Sequence, residues 1–409
     1  MLRYVPTGME LCAVITQVEL ARRLRFSRLN VGLSQEAVAA ELGVPRPTIS
    51  QIESGKRGVG SLELAKLAEL YHYPLTAFFA EDFQQALSDD PLAPIFRLAE
   101  FQPLDRAVVA EFVDRCRAYT DLEAILERGG TTLLPDYSSI GEPQNRLEAV
   151  RQGERVAAEE RRRLGSGDDP MRNVLVLLDA QGIRAFVRPL RTGGISGLFL
   201  CHPSTGPSIL VNGADPNDGL AACAAHQYAH LLLDRRLEAR VCAAGSLRRD
   251  SEKRDELLEV RAGSFAAAFL LPPAGAERFL RDRGRVRRRR HALDLLDVFC
   301  LHRAFGLGFD ATIWRLESLG WLDAGRRAEF TRYRPERLAK ALGLPEQQAE
   351  DIVGRYPLHY LSLAMEAYRR GEISLGKLSE LLGQDLMEAR ELVWDLGLEP
   401  EAALVPRAG

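Results

Sequence analysis

The sequence is short of the features that mark several special classes of protein. Its six cysteines, Cys12, Cys116, Cys201, Cys223, Cys242 and Cys300, are scattered through 409 residues, and no two have C-x-x-C spacing. That pattern excludes a disulfide framework and a cysteine-only zinc site, and it reads as reduced, mostly buried thiols. No apolar run approaches the roughly 20 residues of a membrane span. Residues 1–18 carry Glu10 and Gln17, which interrupt the apolar core a signal peptide needs. The expectation is a cytoplasmic protein with no membrane partner. No charge of one sign dominates: 54 Lys+Arg against 57 Asp+Glu leave −3 at pH 7. This excludes a surface that coats nucleic acid everywhere, while leaving room for a local basic face. Long-period repeats and low-complexity tracts are missing as well.

The composition that remains, 46% hydrophobic and 27% charged, is that of a globular chain. The pattern predicts a mainly α protein with a small α+β middle domain. Residues 1–84 read as a compact helical domain. Residues 85–165 read as a helical linker able to dimerise, broken at Gly129-Gly130, near Pro135 and at Gly141-Glu142-Pro143. In 166–280, Ile183–Val187, Gly197–Leu200 and Ile209–Val211 have the apolar, glycine-flanked look of strands. Helices are expected over about Leu220–Leu233 and Glu252–Leu271, with Pro272-Pro273 ending the second. Residues 281–335 form a basic and then helical extension that includes Arg287–Arg290, where a solvated loop is favoured over a phosphate contact. Residues 336–409 are helical. Within them, Glu372–Gly383 and Leu386–Leu396 suggest a helical hairpin, and packing or dimerisation is favoured there over a second DNA reader.

Chemistry enters first at Gly32–Lys56. Ser34 is an N-cap residue, and Val38, Ala39 and Leu42 supply an apolar face. Gly43 suits a left-handed C-terminal turn, Pro47 suits the first turn of the next helix, and Ile49 and Ile52 bury that helix. Two short helices joined by a tight glycine turn can set the second into a major groove. The run Leu-Ser-Gln…Ile-Ser-Gln-Ile-Glu-Ser-Gly-Lys resembles the Cro/phage-repressor (XRE) helix-turn-helix regulators over residues 18–80. The resemblance implies a lambda-repressor-like domain, a double-stranded DNA operator and a homodimer. It assigns Gln35 to the phosphate backbone, Arg46, Thr48, Ser50 and Gln51 to the groove, and Lys56 and Arg57 to phosphates. Pro45 and Pro47 depart from the small polar residues common at those places.

The second constellation is His226-Gln227-Tyr228-Ala229-His230. Imidazoles at i and i+4 share a helix face and can bind one ion. The zinc-peptidase pattern has a glutamate second, as general base toward the attacking water, whereas Gln227 carries an amide without useful basicity. This motif, the strands before it and the segment Glu259–Pro272 together resemble the ImmA/IrrE-type peptidase domain, a gluzincin-like fold, over about residues 150–275. The resemblance makes Glu259 the third zinc ligand. It also places an Asn or Asp at position 263 to orient the first histidine, where this chain has Gly263. The expectation is a transcriptional regulator with a non-catalytic peptidase-like sensor or scaffold domain, zinc being optional and the effector unidentified. The alternatives are a zinc metallopeptidase that cleaves a regulatory protein, and an antitoxin-like autoregulator.

Overall fold

The computed structural model describes residues 15–398, apart from 72, 74, 81–82, 84–91, 100, 129–133, 172, 193, 215–218, 244–253, 285–292 and 345–355. The expectations for Gly129-Gly130 and Arg287–Arg290 therefore lie outside the described residues. The chain divides into two units, Met1–Phe101 and Gln102–Gly409.

The first unit is helical. The Thr16 side chain caps α1 (Gln17–Asn30). The Ser34 hydroxyl accepts from the Ala37 N–H at 3.0 Å to start α2 (Gln35–Leu42). Gly43 ends α2 at φ 70°, a left-handed conformation that costs glycine nothing. Next come α3 (Arg46–Glu53), entered through Pro45 without a side-chain cap, α4 (Ser61–Tyr71) and α5 (Leu92–Leu98). Leu24, Val38, Ile49, Ile52, Leu67 and Phe78 form the core. Inside it Arg28 meets the Glu53 carboxylate at 2.5 and 3.0 Å, and its Nη1 also donates to the Leu33 carbonyl.

In the second unit α6 (Pro103–Ile125), α7 (Arg146–Arg163) and α8 (Val174–Ala180) precede the sheet. Strands β1 (Arg184–Arg188), β2 (Ile195–His202), β3 (Gly206–Asn212) and β4 (Ala239–Ala243) are ordered β1-β3-β2-β4. β1 runs parallel to β3, and β2 is antiparallel to both β3 and β4. Helix α9 (Leu220–Leu233) packs on β2 and β3 and is buried from Ala222 onward. It passes α10 (Arg254–Leu270), which packs in turn on α7. The α7–α10 approach needs Gly153: a Cβ there would sit 2.4 Å from the Arg261 carbonyl oxygen and 2.8 Å from the Phe265 nitrogen. The chain continues through α11 (Pro273–Asp282), α12 (Leu295–Phe305), α13 (Phe309–Ser318), α14 (Ala324–Phe330) and α15 (Pro335–Ala341). It closes with α16 (Leu358–Arg369), α17 (Leu375–Leu382) and α18 (Leu386–Asp395).

The three expected strands are present, and β4 is an addition. Residues 85–165 do not behave as a separate linker. α5 lies in the first unit, while α6 packs on β1 and β3 and α7 packs on α10 in the second. The stretch Asp255–Asp282 is long and apolar enough by composition to cross a membrane, but 89% of its apolar window is buried inside this unit. The hairpin of α17 and α18 turns at Gly383 (φ 58°). α18 carries Glu388, Glu391 and Asp395 against Arg390, a charge balance unsuited to phosphates.

Candidate functional site

On the first unit, amphipathicity decides which side chains α3 shows. Ile49, Ile52 and Glu53 are buried, whereas Arg46, Pro47, Ser50 and Gln51 are exposed and Thr48 is half-buried. Lys56 and Arg57 are exposed just beyond the helix. Arg46 pairs with Glu36 on α2 at 2.7 Å, with both side chains more than half exposed (62% and 61%). Such a surface pair is worth ~0–1 kcal/mol, so it yields easily to a better anion. Arg57 pairs with Glu63 at 2.8 Å. Gln35 is placed differently from the expectation of a free phosphate ligand. Its amide nitrogen donates to Glu53 at 2.8 Å and so braces the Arg28–Glu53 pair. A primary amide has two N–H groups, and the second can still serve a phosphate.

On the second unit, helical spacing brings His226 and His230 to one face, with their Nε2 atoms 3.2 Å apart. Glu259 on α10 approaches both, at 3.2 Å from His226 and 3.5 Å from His230. β4 delivers two further side chains. Alternation along a strand puts Arg240 and Cys242 on one face. Arg240 Nε donates to Glu259 Oε1 at 2.6 Å. The ligand atoms of Cys242, His226, His230 and Glu259 all lie within 4.8 Å of one another, and all four residues are buried. Their register partners on β2 face the same way: Phe199, opposite Arg240, stacks on His230 at 5.6 Å, and Gly197, opposite Cys242, lies against Gln227.

Position 263 is glycine, and the orienting carboxylate beside the cluster serves the second histidine, not the first. Asp234, one turn after His230, accepts from or shares a proton with His230 Nδ1 at 2.7 Å, and Arg261 holds Asp234 in turn. This fixes the ring so that Nε2 faces the cluster. Gln227 is fully buried. Its Oε1 accepts from the Cys242 thiol at 3.4 Å, and its Nε2 has no hydrogen-bond partner among the described residues.

The electrostatics match this crowding. Burial alone would lower the His226 pKa, but hydrogen bonds to Cys242 and Glu259 outweigh it and raise the group to about 9. His230 is raised in the same way against its burial, by Cys242 and Asp234. Burial pushes Glu259 up, yet the two imidazoles hold it far below the usual carboxylate range. The Cys242 thiol is lowered because the His230 charge outweighs desolvation. The donor set fits zinc: two imidazole nitrogens, a thiol and the buried Glu259 carboxylate, whose Oε2 lies 3.2 Å from His226 Nε2.

Sequence reasoning found the two histidines and Glu259 but missed Cys242, Asp234 and Arg240. Asp234 had a local signal, standing four residues after His230. Cys242 had none, because its spacing from the histidines fits no metal motif.

Comparison with known families finds two matches. A helix-turn-helix family model matches residues 24–78. An IrrE N-terminal-like domain model, of peptidase family M78, matches residues 178–317. No curated protein matches the chain. The match over 178–317 runs past the resemblance expected at 150–275 and takes in α11, α12 and most of α13, which pack onto the same core. The chain therefore joins an XRE-type helix-turn-helix domain to an ImmA/IrrE-like domain in one polypeptide.

Proposed function

We propose that this protein is a sequence-specific transcriptional regulator that binds double-stranded DNA as a homodimer. In this reading its ImmA/IrrE-like domain senses an effector or holds a partner and does not hydrolyse peptide bonds. The observation that carries the reading is the split face of α3, which buries Ile49 and Ile52 and leaves Arg46, Ser50 and Gln51 exposed. The fork of an arginine and the amide of a glutamine match guanine and adenine edges in the major groove. Lys56 and Arg57, beside the helix, suit phosphates, which set register without reading sequence.

The lack of hydrolysis is argued from Gln227. His226, His230 and Glu259 would hold a zinc ion, which when bound acts as a Lewis acid. Asp234 and Arg240 would keep those ligands aimed. Peptide hydrolysis also needs a group that takes a proton from water, and an amide cannot. A zinc peptidase remains the second reading, favoured by the convergence of the same three ligands. The two part in one experiment. Full-length protein is selected against a random DNA library and, separately, incubated with helix-turn-helix repressors plus zinc. A shared sequence motif without cleavage supports the regulator. Binding without any sequence preference defeats it, and zinc-dependent cleavage supports the peptidase.

A further inference from the structure

The sulfur of Cys242 has no part in the reading above, yet it lies among the donors. It reaches the cluster from β4, the strand that covers the β2 edge, and Cys242 is only 1% exposed. Three protein ligands leave a zinc ion one open position for water or substrate, whereas four close a tetrahedral site. We propose that Cys242 is a fourth protein ligand, so that His226, His230, Cys242 and Glu259 form a closed metal centre in place of an open catalytic one. This rests on the reading that the ImmA/IrrE-like domain holds zinc.

Three observations support closure. The first is charge: Glu259 is the one anion among the three ligands and already pairs with Arg240, so a thiolate from Cys242 adds the anion that a buried dication most needs. The second is the supply of outer contacts. Arg240 engages Glu259 Oε1 and turns Oε2 toward His226 Nε2, 3.2 Å away, and Asp234 fixes His230. The third is Gln227. Its amide lies 3.4 Å from Cys242 Sγ, and its buried nitrogen has no hydrogen-bond partner among the described residues. Turning the amide over would give an N–H···S bond to a thiolate, the state that metal binding requires. A glutamate at 227 would instead set a second negative charge against that sulfur. The amide at the base position and the thiol on β4 are thus a matched pair. The same exchange that removes the base makes room for an anionic ligand. The centre ties β4 to α9 and α10, which is a structural role.

The test uses full-length protein purified under reducing conditions. Metal content is measured, the metal is exchanged for Co2+, and the zinc form is examined by X-ray absorption. The expected result is one metal per chain, a thiolate-to-cobalt charge-transfer band, and a sulfur in the zinc shell at about 2.3 Å. Cys242→Ala removes the band, and Cys201→Ala keeps it. Metal bound with no sulfur in its shell overturns the closed centre while sparing the three-ligand reading. A metal-free protein that takes up neither zinc nor cobalt overturns both. The sulfur measurement needs no variant, so it decides the matter even if Cys242→Ala fails to fold.

Discussion

At the scale of single residues, two buried groups carry the sharpest expectations. Gln227 replaces a proton acceptor by an amide, and general acid–base catalysis is worth roughly 10²–10⁴-fold. The unaltered protein should therefore show no cleavage of helix-turn-helix repressors above background, with or without zinc. Gln227→Glu alone should not create cleavage, because Cys242 still lies 3.4 Å from that side chain. The double change Gln227→Glu with Cys242→Ala returns a base and frees a position, and it is the variant in which weak zinc-dependent cleavage is expected. Gel analysis of a repressor substrate reads both results. Glu53 is the second group. It is buried, pairs with Arg28 and accepts from Gln35, and the hydrogen-bonded Glu53 raises the Arg28 pKa further. Removing one partner of a buried pair strands the other charge, at a cost of about 3–5 kcal/mol. Glu53→Ala should lower the unfolding midpoint of the helix-turn-helix unit in a denaturant titration. A loss below 1 kcal/mol would mean that water reaches Arg28. By contrast Arg46→Ala should leave stability unchanged and lose ~1–3 kcal/mol at the best DNA site, read by fluorescence anisotropy.

At the scale of elements, the cluster of His226, His230, Cys242 and Glu259 depends on how closely helices approach. α10 carries Glu259, and its position is set by the face of α7 around Gly153. A methyl group there would meet backbone atoms at 2.4 and 2.8 Å, which no rotamer change relieves. Gly153→Ala should push α10 away, with a destabilisation of the ~1–3 kcal/mol typical of overpacking or somewhat more. Thermal unfolding reads the loss, and metal affinity should fall with it because Glu259 moves. An unchanged melting temperature would show that the two helices can slide apart freely. β4 makes the opposite point. A five-residue strand at the sheet edge has little stability of its own, but it supplies both Arg240 and Cys242. The hairpin of α17 and α18 starts from a serine cap and turns at a left-handed glycine, as α2 does before α3, yet α18 has its own Asp385 cap and shows solvent Glu388, Glu391, Leu386 and Trp394. Similar local grammar thus produces two hairpins with different surfaces.

At the scale of the whole molecule, DNA recognition by one helix-turn-helix unit covers too few bases to be selective. Dimers of such units read half-sites about one helical turn apart. The bound site should be a near-palindrome, and light scattering should show two chains per site; a monomer both free and on DNA would rule the dimer out. Lys56 is exposed and outside the α3 reading face, so Lys56→Ala should weaken all sequences alike. It should also reduce the steepness of the salt dependence by about one phosphate's worth. A change confined to one base position would instead make Lys56 a reader of sequence.

Two kinds of information in this chain were local, and the sequence alone determined them. Caps, turns and helix faces follow from neighbours within a few residues, so Ser34, Gly43, the buried Ile49 and Ile52, and the shared face of His226 and His230 could all be read directly. Glu259 was legible because its surrounding segment resembles a family pattern. The remaining features rest on contacts between distant segments. Cys242 reads as one of six scattered thiols until the pairing of β4 with β2 brings it against Gln227. Arg240 reads as one more scattered charge until the same pairing brings it against Glu259. The expected linker over 85–165 is divided because α6 and α7 bury their apolar faces in the second unit, a choice that depends on which partner surface is there to cover them. Tertiary packing alone decided these points, since strand pairing and helix docking are set by surfaces that no local window contains.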